Sequence, residues 1–351
     1  MKNIDLIIPT YNRPDFLKRI LDYYSTSGGN FNFIVADSSS RSNKTLNKKI
    51  INLFPKLNIL YLDKFPQNLS QHDKFAKMVE YSKAKYVCFC ADDDFIVPNG
   101  IKKAVEFLEK NPDYSATHGS YISFYVYKNL FGLIKFWWRF LYSPYSISSS
   151  SPLDRLVSHL TNYNMVVWSV RRTDIVKKCY REFSKIKIDP YLLPVFGELL
   201  PDLLTVIYGK IKHLDNFYAA RQSFSQILNS YPSLIDAKKI GIYKKEYSKF
   251  KNCLINNLNI LEQTPKDKTE NIINSSIEIY IKYSYQEHIL GKITNILNHL
   301  PKLISNNINL LHAKYLFSKN KKSKIGLIDK SSSKYFTDFE SIRKIVLKYN
   351  I

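Results

Sequence analysis

Cysteine is scarce in this sequence, and the cysteines present are not spaced as metal ligands. The four residues, Cys88, Cys90, Cys179 and Cys253, form no Cys-x-x-Cys pair, which argues against a zinc site or a disulfide framework. No uninterrupted run of about 18 apolar residues occurs, as a membrane-spanning helix would require. Residues 1–9 lack the basic and then apolar pattern of a signal peptide. We therefore expect reduced core thiols in a cytoplasmic protein.

Acidic residues are also in the minority. The chain of 351 residues has 30 Asp and Glu against 52 Lys and Arg, a net charge of +22. Such an excess indicates an anionic partner, for which the candidates are a nucleotide diphosphate, an acidic lipid surface, a polyanionic glycan or nucleic acid. The alternative is codon bias in an AT-rich genome, because much of the excess is lysine in sequence rich in Asn and Ile.

The acids that are present concentrate at one point. The apolar run from Tyr86 to Cys90 is typical of a strand that is covered on both faces of a parallel sheet. It ends on Asp92, Asp93 and Asp94, and ligands bind at the carboxyl ends of such strands. Mg²⁺ or Mn²⁺ takes carboxylate oxygens together with substrate phosphates and would relieve the repulsion among the three acids. The alternative is a solvated acidic turn before the helix that begins at Pro98.

Strands and helices alternate on both sides of this run. Strands are predicted at 4–9, 31–36, 58–62 and 114–123, and helices at 15–24, 43–53, 70–84 and 98–110. This alternation indicates βαβ units and a parallel sheet. No tandem repeat of constant period is present.

Three motifs in this order carry a resemblance. Pro9 to Arg13, Asp37 to Ser39, and Ala91 to Asp94 resemble the inverting family-2 glycosyltransferases, bacterial surface-glycan enzymes with a GT-A fold. The similarity covers residues 4–221 and is strongest through residue 108. It implies a Rossmann-like mixed sheet of the nucleotide-diphospho-sugar transferase type, flanked by helices.

The resemblance also implies roles for individual residues. The turn after the first strand and the acid after the second hold the nucleotide in that family, and the D-x-D carboxylates bind the metal on the diphosphate. The nucleotide contacts carried over are Thr10, Tyr11, Arg13, Asp37 and Asp92, and the metal ligands are Asp92 and Asp94. Lys74 could reach a phosphate as a point charge, or could be a solvated helix residue. For Asp37 the alternative is an Asx turn before a helix.

Carboxylates interrupt apolar sequence a second time at Glu198 and Asp202. In the family an acid at the start of a late helix deprotonates the acceptor hydroxyl, and Glu198 matches that position best, with Asp202 second. Pro201 makes a regular helix there less certain. A surrounding of apolar residues would raise the pKa of such a base towards the working range. The alternative is a pair of helix surface acids. A late histidine completes the metal shell in many GT-A enzymes, and His213 is the nearest match.

The segment from about 124 to 150 is the most aromatic part of the chain. Lys135 and Arg139 are four residues apart and would share one face of a helix, with Trp137 and Trp138 on other faces. This pattern is typical of an interfacial helix on an anionic membrane. The alternatives are packing on the catalytic domain and an aromatic wall of the acceptor site.

Together these observations predict a GT-A domain at 1–232, with the aromatic insertion, and a helical, basic C-terminal region at 233–351. The expected activity is metal-dependent, inverting transfer of a sugar from a nucleotide-sugar to a glycan or lipid-linked hydroxyl in surface polysaccharide assembly. The alternatives are a sugar nucleotidyltransferase, although its glycine-rich phosphate loop is lacking, and a basic membrane- or nucleic-acid-binding module with an inactive site. We expect Mg²⁺ or Mn²⁺, no nucleic acid partner, and a location in the cytoplasm that allows peripheral contact with the inner face of the membrane.

Overall fold

A computed structural model describes residues 3–29, 31–128, 133–142, 145–223, 234–262, 265–298, 325–349 and 351. In these residues nine strands form one sheet in the order β3-β2-β1-β4-β8-β6-β9-β5, with β7 paired to β6. Helices cover both faces of the sheet. Strand β4, whose end carries the acidic run, therefore has a neighbour on each side, β1 and β8.

The first half of the sheet is parallel. Strands β1, β2, β3 and β4 pair side by side, and apolar positions are buried along β1, β2 and β4. Parallel pairing brings the carboxyl ends of these strands to one edge. The elements of this half are β1 (Ile4–Thr10), α1 (Pro14–Thr26), β2 (Asn32–Asp37), α2 (Arg41–Ile51), β3 (Asn58–Leu62), α3 (Gln71–Val79) and β4 (Tyr86–Phe89).

The second half makes the sheet mixed. Strand β8 runs antiparallel to β4 and β6, whereas β9 runs parallel to β6. The elements here are β5 (Phe95–Ile96), α4 (Pro98–Lys110), β6 (Tyr114–Lys128), β7 (Ile134–Tyr142), α5 (Pro152–Thr161), β8 (Val170–Arg172), α6 (Thr173–Ile186), α7 (Leu193–Tyr208) and β9 (Lys210–Gln222). This mixed α/β sheet with flanking helices confirms the predicted fold class.

The aromatic segment is a strand, so its prediction as an interfacial helix is wrong. Strand β7 pairs antiparallel with β6 from Tyr121↔Tyr142 to Lys128↔Ile134. One face packs on the core, where Phe136 and Trp138 contact Phe339 with ring centroids 5.7 and 5.6 Å apart. The strand is favoured because alternate residues, rather than every third or fourth, meet this core. Residues 129–132 and 143–144 of the predicted insertion lie outside the described residues.

The described part of the C-terminal region is helical, as predicted, and packs on both sides of the sheet. Leu254, Ile273 and Ile277 from its first long helices are buried with α6 and α7, while Phe339 and Ile342 are buried on the opposite side with α1. The helices are α8 (Leu234–Ala237), α9 (Tyr243–Leu261), α10 (Lys266–Asn298) and α11 (Phe336–Tyr349). The division of the chain at residue 232 stays a prediction.

Two expectations drawn from absences can be compared with this structure. All four cysteines are buried and free of disulfide bonds, as expected of core thiols. In the part of the chain described here, no helix has the length and apolar character needed to cross a membrane.

Candidate active site

Three aspartates lie where β4 ends, and the turn after β1 holds the first two. Thr10 donates from Oγ1 to Oδ2 of Asp92 over 2.7 Å. The guanidinium of Arg13 donates to Asp93 Oδ2 over 2.9 Å and also to Asp92 Oδ1. The motif after the first strand and the acidic motif, which lie about 80 residues apart, thus form one hydrogen-bonded unit.

The third aspartate is held from the other side, by the end of β9. Arg221 donates from Nε to Asp94 Oδ2 over 3.0 Å, and the backbone N–H of Gln222 donates to Asp94 Oδ1 over 2.9 Å. Because β9 also pairs with β5 at Phe95↔Ala220, this contact is fixed by strand register. Asp94 therefore joins the parallel half of the sheet to the mixed half.

Because of these ion pairs, repulsion among the three acids is no longer a reason to expect a metal. The sequence suggested that a cation must relieve repulsion among the acids, but Arg13 and Arg221 already do so in this structure. Burial raises the pKa of Asp92 to about 6, with Arg13 acting in the opposite direction. Burial likewise raises the pKa of Asp94 to about 6 against the effect of Arg221. Both carboxyls therefore titrate close to physiological pH.

The turn after β1 is shaped by Asn12. Its backbone is left-handed, with φ of 54°, a conformation that Asn tolerates better than most residues. Its side-chain oxygen accepts from the backbone N–H of Ser40 over 2.8 Å, and its own N–H donates to Ser39 Oγ over 2.7 Å. Asn12 thus ties the β1 turn to the β2 turn, and it leaves Tyr11 46% exposed at the rim.

Asp37 is placed at the end of β2 as predicted, but it is fully buried. Its Oδ1 accepts from the backbone N–H of Ser39 over 2.7 Å, which is an Asx turn. Its Oδ2 accepts from Asn47 over 2.8 Å and from the hydroxyl of Tyr61 over 2.6 Å. Asp37 therefore orders the loop, and because it is fully buried a nucleotide could contact it directly only if the groups around it moved.

Lys74 is buried, so the alternative of a solvated helix residue is wrong. Its Nζ donates to Ser38 Oγ over 2.8 Å and to the carbonyl of Thr10 over 3.2 Å. Burial lowers the pKa of Lys74 to about 8, while the charges of Asp92 and Asp37 act to raise it. The ammonium thus links the ends of β1 and β2, directly behind the acidic cluster.

The late acidic segment is a helix, α7, that runs through Pro201 without a break. Glu198 faces solvent, although protein surrounds it on several sides and this burial raises the pKa of its carboxyl. The charge of Arg221 opposes that rise, which shows that Glu198 lies within electrostatic range of the cation that binds Asp94. Arg221 therefore interacts with Asp94 by direct contact and with Glu198 at longer range.

Asp202, the second candidate base, is fully buried. Its Oδ2 accepts from the backbone N–H of Val166 over 2.8 Å and from the hydroxyl of Tyr163 over 3.1 Å. Burial raises the pKa of Asp202 to about 7, with Arg171 acting in the opposite direction. In this structure Asp202 anchors the chain before β8 and is not placed to touch an acceptor hydroxyl.

The turn of α7 that carries Glu198 is seated on α3. A Cβ added at Gly197 would lie 2.7 Å from Cγ of His72 and 2.9 Å from its Nδ1, which is closer than van der Waals contact allows. Burial lowers the pKa of His72 to about 4, against the effects of Asp73 and the Gly197 backbone. Close packing of the neutral His72 ring on Gly197 thus sets the position of the neighbouring residue, Glu198.

We expect Gly197→Ala to destabilise the protein, because the added methyl group overlaps the His72 ring. Overpacking costs about 1–3 kcal/mol, which exceeds the gain of about 1 kcal/mol from alanine in a helix. The thermal unfolding midpoint should fall for Gly197→Ala and recover in the double variant with His72→Ala. If the double variant is no more stable than Gly197→Ala, the ring does not determine the packing of this turn.

His213 is not near the acidic cluster, so its prediction as a metal ligand is wrong. It lies near the start of β9, where its Nδ1 is 3.5 Å from Asp215 and its Nε2 is 3.4 Å from Ser120. Their partners on β6 are His118 and Ser123, so His213 and Arg221 are separated by five residues of that strand, or about 17 Å at about 3.3 Å per residue. A strand keeps its two ends apart, so His213 and Asp94 cannot share one cation.

The aspartates at the end of β4 could supply part of a metal site. Carboxylate oxygens are the donors that Mg²⁺ and Mn²⁺ prefer, and Asp94 offers two at the edge of the site. In the described ranges, however, no group of three or more His, Cys, Asp and Glu side chains is arranged to hold an ion. The donor set therefore fits a divalent cation only when further oxygen ligands come from elsewhere, as they do from a bound diphosphate.

Sequence reasoning missed two arginines at the site, of which Arg19 is buried and Arg221 is 30% exposed at its side chain. Arg19, on α1, donates from Nη2 to the carbonyl of Asp93 over 3.0 Å and packs on Phe16 and Phe95. An Arg within an apolar helix face was the available signal for Arg19, but the partner of Arg221 depends on tertiary register.

A parallel half-sheet that ends in carboxylates and continues into a mixed sheet is the GT-A fold, which nucleotide-sugar transferases adopt. Residues 5–176 match the family described as Glycosyl transferase family 2. The match covers slightly less than half of the chain and identifies residues 5–176 as a glycosyltransferase domain of that type. The match favours glycosyl transfer over the nucleotidyltransferase and inactive-module alternatives. A comparison with curated proteins gives no match.

Solved structures with a similar chain path are distant in sequence. TarS 1-349 from S. aureus, in complex with UDP-GlcNAc, has 15% identity and a TM-score of 0.49, covering 100% of this chain and 92% of that one. A longer TarS structure has 14% identity and a TM-score of 0.49, and the 87% of this chain that aligns spans only 50% of its length. The mannosyltransferase PcManGT from Pyrobaculum calidifontis, in complex with GDP-Man and Mn²⁺, has 10% identity and a TM-score of 0.44, covering 98% and 85%.

Proposed function

We propose that this glycosyltransferase is metal-dependent and inverting, and that it moves a sugar from a nucleotide-sugar to a hydroxyl of a glycan or lipid-linked acceptor. Surface polysaccharide assembly is the proposed setting, with peripheral contact with the inner face of the membrane. The observation that carries the proposal is the position of Arg221. Arg221 pairs with Asp94, and its charge opposes the rise in the pKa of Glu198. The acid assigned to the donor and the acid assigned to the acceptor therefore both interact with Arg221.

The donor nucleotide is assigned to the turns after β1 and β2. Tyr11 is the exposed aromatic residue at this rim and is proposed to contact the base or ribose. Thr10, Lys74 and Asp37 are buried and hold the two turns in place through Asp92, Ser38 and Ser39, respectively. The proposed direct contacts are therefore Tyr11 and Arg13, and the buried residues preorganise the site.

The diphosphate is assigned to the acidic cluster and its arginines. A divalent cation held by Asp94, with support from Asp92, would neutralise the charge that develops on the leaving diphosphate. Arg13 is 17% exposed at its side chain and can donate to a phosphate oxygen while it holds Asp93. Because the carboxylates alone do not form a complete cage, we propose that cation and nucleotide bind together.

Glu198 is proposed as the general base. It faces solvent on α7, and its raised pKa makes it a better proton acceptor at neutral pH than an ordinary glutamate. Removal of the acceptor proton allows the hydroxyl oxygen to attack the anomeric carbon as the bond to the diphosphate breaks. One displacement without a covalent enzyme intermediate inverts the anomeric configuration.

Binding of nucleoside diphosphates with and without Mn²⁺, measured by titration calorimetry, tests this proposal. Coupling between ligands typically amounts to about 1–3 kcal/mol, or about 5- to 150-fold in affinity. We expect Mn²⁺ to tighten binding within that range, and the nucleotide to tighten Mn²⁺ binding by the same factor. Equal affinity with and without the cation would contradict metal dependence, and no nucleotide binding would contradict the assigned donor site.

A further inference from the structure

The face of the sheet that carries Arg221 continues outward along the β6–β7 hairpin. Arg221 pairs with Ser123 of β6, and Ser123 pairs with Arg139 of β7. Residues directly opposite each other in paired strands point to the same face, as do alternate residues along one strand. The next pairs outward, Tyr125↔Trp137 and Tyr127↔Lys135, therefore share the face of Arg221.

These residues form a strip, defined as Ser123, Tyr125, Tyr127, Lys135, Trp137 and Arg139. Four residues of β6 span about 13 Å at about 3.3 Å per residue, so the strip leads about that far from the candidate active site. The core-facing side of the same hairpin is different, because Phe136 and Trp138 pack there on Phe339. The adjacent residues Trp137 and Trp138 thus lie on opposite faces of the hairpin.

The strip combines flat rings with positive charge. The rings of Tyr125 and Trp137 lie with centroids 4.9 Å apart, and those of Tyr125 and Tyr127 lie 5.7 Å apart. Tyr127 is 44% exposed, Lys135 is exposed, and Trp137 and Arg139 are half-buried. The sequence from 121 to 142 contains no Asp or Glu, so anionic groups meet no acid on these two strands.

We propose that this strip binds the acceptor, and that the acceptor is an anionic glycan chain with carboxylate or phosphate groups. Aromatic rings present broad apolar surface with little loss of conformational entropy on binding, because their side chains have few rotamers. Lys135 and Arg139 supply the charge, and Arg can bind a carboxylate or phosphate through two N–H groups. The strip ends at Arg221, beside Asp94 and within range of Glu198, where the acceptor hydroxyl must lie. This inference rests on the proposed function and names its acceptor class.

A glycan is favoured over a membrane by the place of the strip. The strip is continuous with the candidate active site through Ser123 and Arg221, whereas a membrane anchor needs no such continuity. Trp137 is also half-buried against Tyr125 rather than fully exposed, and so forms a platform. An acidic vesicle surface is therefore treated as a competing outcome.

The test compares an oligogalacturonate with a neutral maltooligosaccharide of equal length, each titrated into the full chain with a saturating nucleoside diphosphate and Mn²⁺. We expect the wild type to bind the anionic oligomer at least tenfold more tightly. Arg139→Ser and Trp137→Ser should each lower that affinity at least fivefold and leave nucleotide affinity unchanged. Arg343→Ser and Tyr191→Ser, which change an exposed cation and an exposed ring elsewhere, are the matched controls and should bind normally.

Three results would each contradict the assignment of the strip as the acceptor site. The wild type would bind both oligomers with equal affinity, or both strip variants would bind the anionic oligomer like the wild type, or the control variants would lose binding. Binding to phosphatidylglycerol vesicles but to neither oligomer would support membrane contact instead. Failure of the proposed function is distinguishable, because the wild type would then not bind the nucleotide. If thermal unfolding shows that Trp137→Ser does not fold, Arg139→Ser alone decides the test.

Discussion

Glu198→Gln is expected to lower the rate of sugar transfer by about 10²- to 10⁴-fold, the usual contribution of a general base. Glutamine keeps the shape of the side chain but accepts no proton at the working pH. Donor and cation binding should persist, because they are assigned to β1, β2 and β4. The measurement is product formation under saturating donor and acceptor, together with nucleotide affinity by calorimetry.

Asp202→Asn is the matched control for this variant. Both changes replace one carboxylate of α7 by its amide, but Asp202 is buried and bonded to Val166 and Tyr163. We expect a much smaller loss of transfer, and any loss should be accompanied by a lower unfolding midpoint. If Asp202→Asn abolishes transfer while Glu198→Gln remains active, the two roles are reversed. If both variants remain active, the base lies outside α7.

Asp94→Asn is expected to abolish the enhancement of nucleotide binding by Mn²⁺ and to reduce transfer to a similar extent as removal of the cation by a chelator. The amide supplies a weaker ligand and also loses the ion pair with Arg221. The fold should persist, because the amide oxygen can still accept from the backbone N–H of Gln222 and the pairing of β5 with β9 does not involve this side chain. Calorimetry with and without Mn²⁺ measures the effect without any need for turnover.

The same carboxyl predicts a pH dependence. Because the pKa of Asp94 is raised to about 6, the group is ionised above that pH and protonated below it. A cation needs the ionised form, so Mn²⁺-supported binding should weaken as the pH falls through about 6 and be fully present above about 7. Asp113→Asn, which changes an acid that is about half exposed beside Lys210, is the control and should leave the profile unchanged. Wild-type turnover that a chelator leaves intact would contradict the cation assignment.

The acidic strand end could be predicted because it depends on local pattern and one general rule. An apolar run that stops at Asp92 indicates a buried strand, and parallel strands bring their carboxyl ends together. For that reason Thr10 and Arg13 meet Asp92 as the ordered motifs implied. The same reasoning placed Asp37 at the correct edge, but it could not show that Asn47 and Tyr61 would enclose its carboxylate.

The aromatic hairpin shows where a sequence pattern is ambiguous. Lys135 and Arg139 are four residues apart, and a spacing of four puts two residues on the same face of both a helix and a strand. Only pairing with β6 decides between them, and that pairing brings together residues such as Tyr125 and Trp137. The strip therefore became visible only with the register of the sheet.

Long-range partners outside the ordered motifs could not be predicted. Arg221 reaches Asp94 across 127 positions of sequence, and nothing near Asp94 indicates which cation will approach. Lys74 lies on a helix whose sequence suits a solvated surface, yet tertiary packing buries it against Ser38. The prediction of His213 as a metal ligand was wrong for a related reason. Its position along β9, and not its residue type, decides whether it can reach the acids.

The most direct test of the central claim is a screen of nucleotide-sugars that follows release of the nucleoside diphosphate by the purified chain with Mn²⁺. The account predicts release from one class of donor, faster release when an anionic oligosaccharide is added, and strong loss of release in both Asp94→Asn and Glu198→Gln. Release at the wild-type rate by Asp94→Asn, or no binding and no cleavage of any nucleotide-sugar by the wild type, would contradict it.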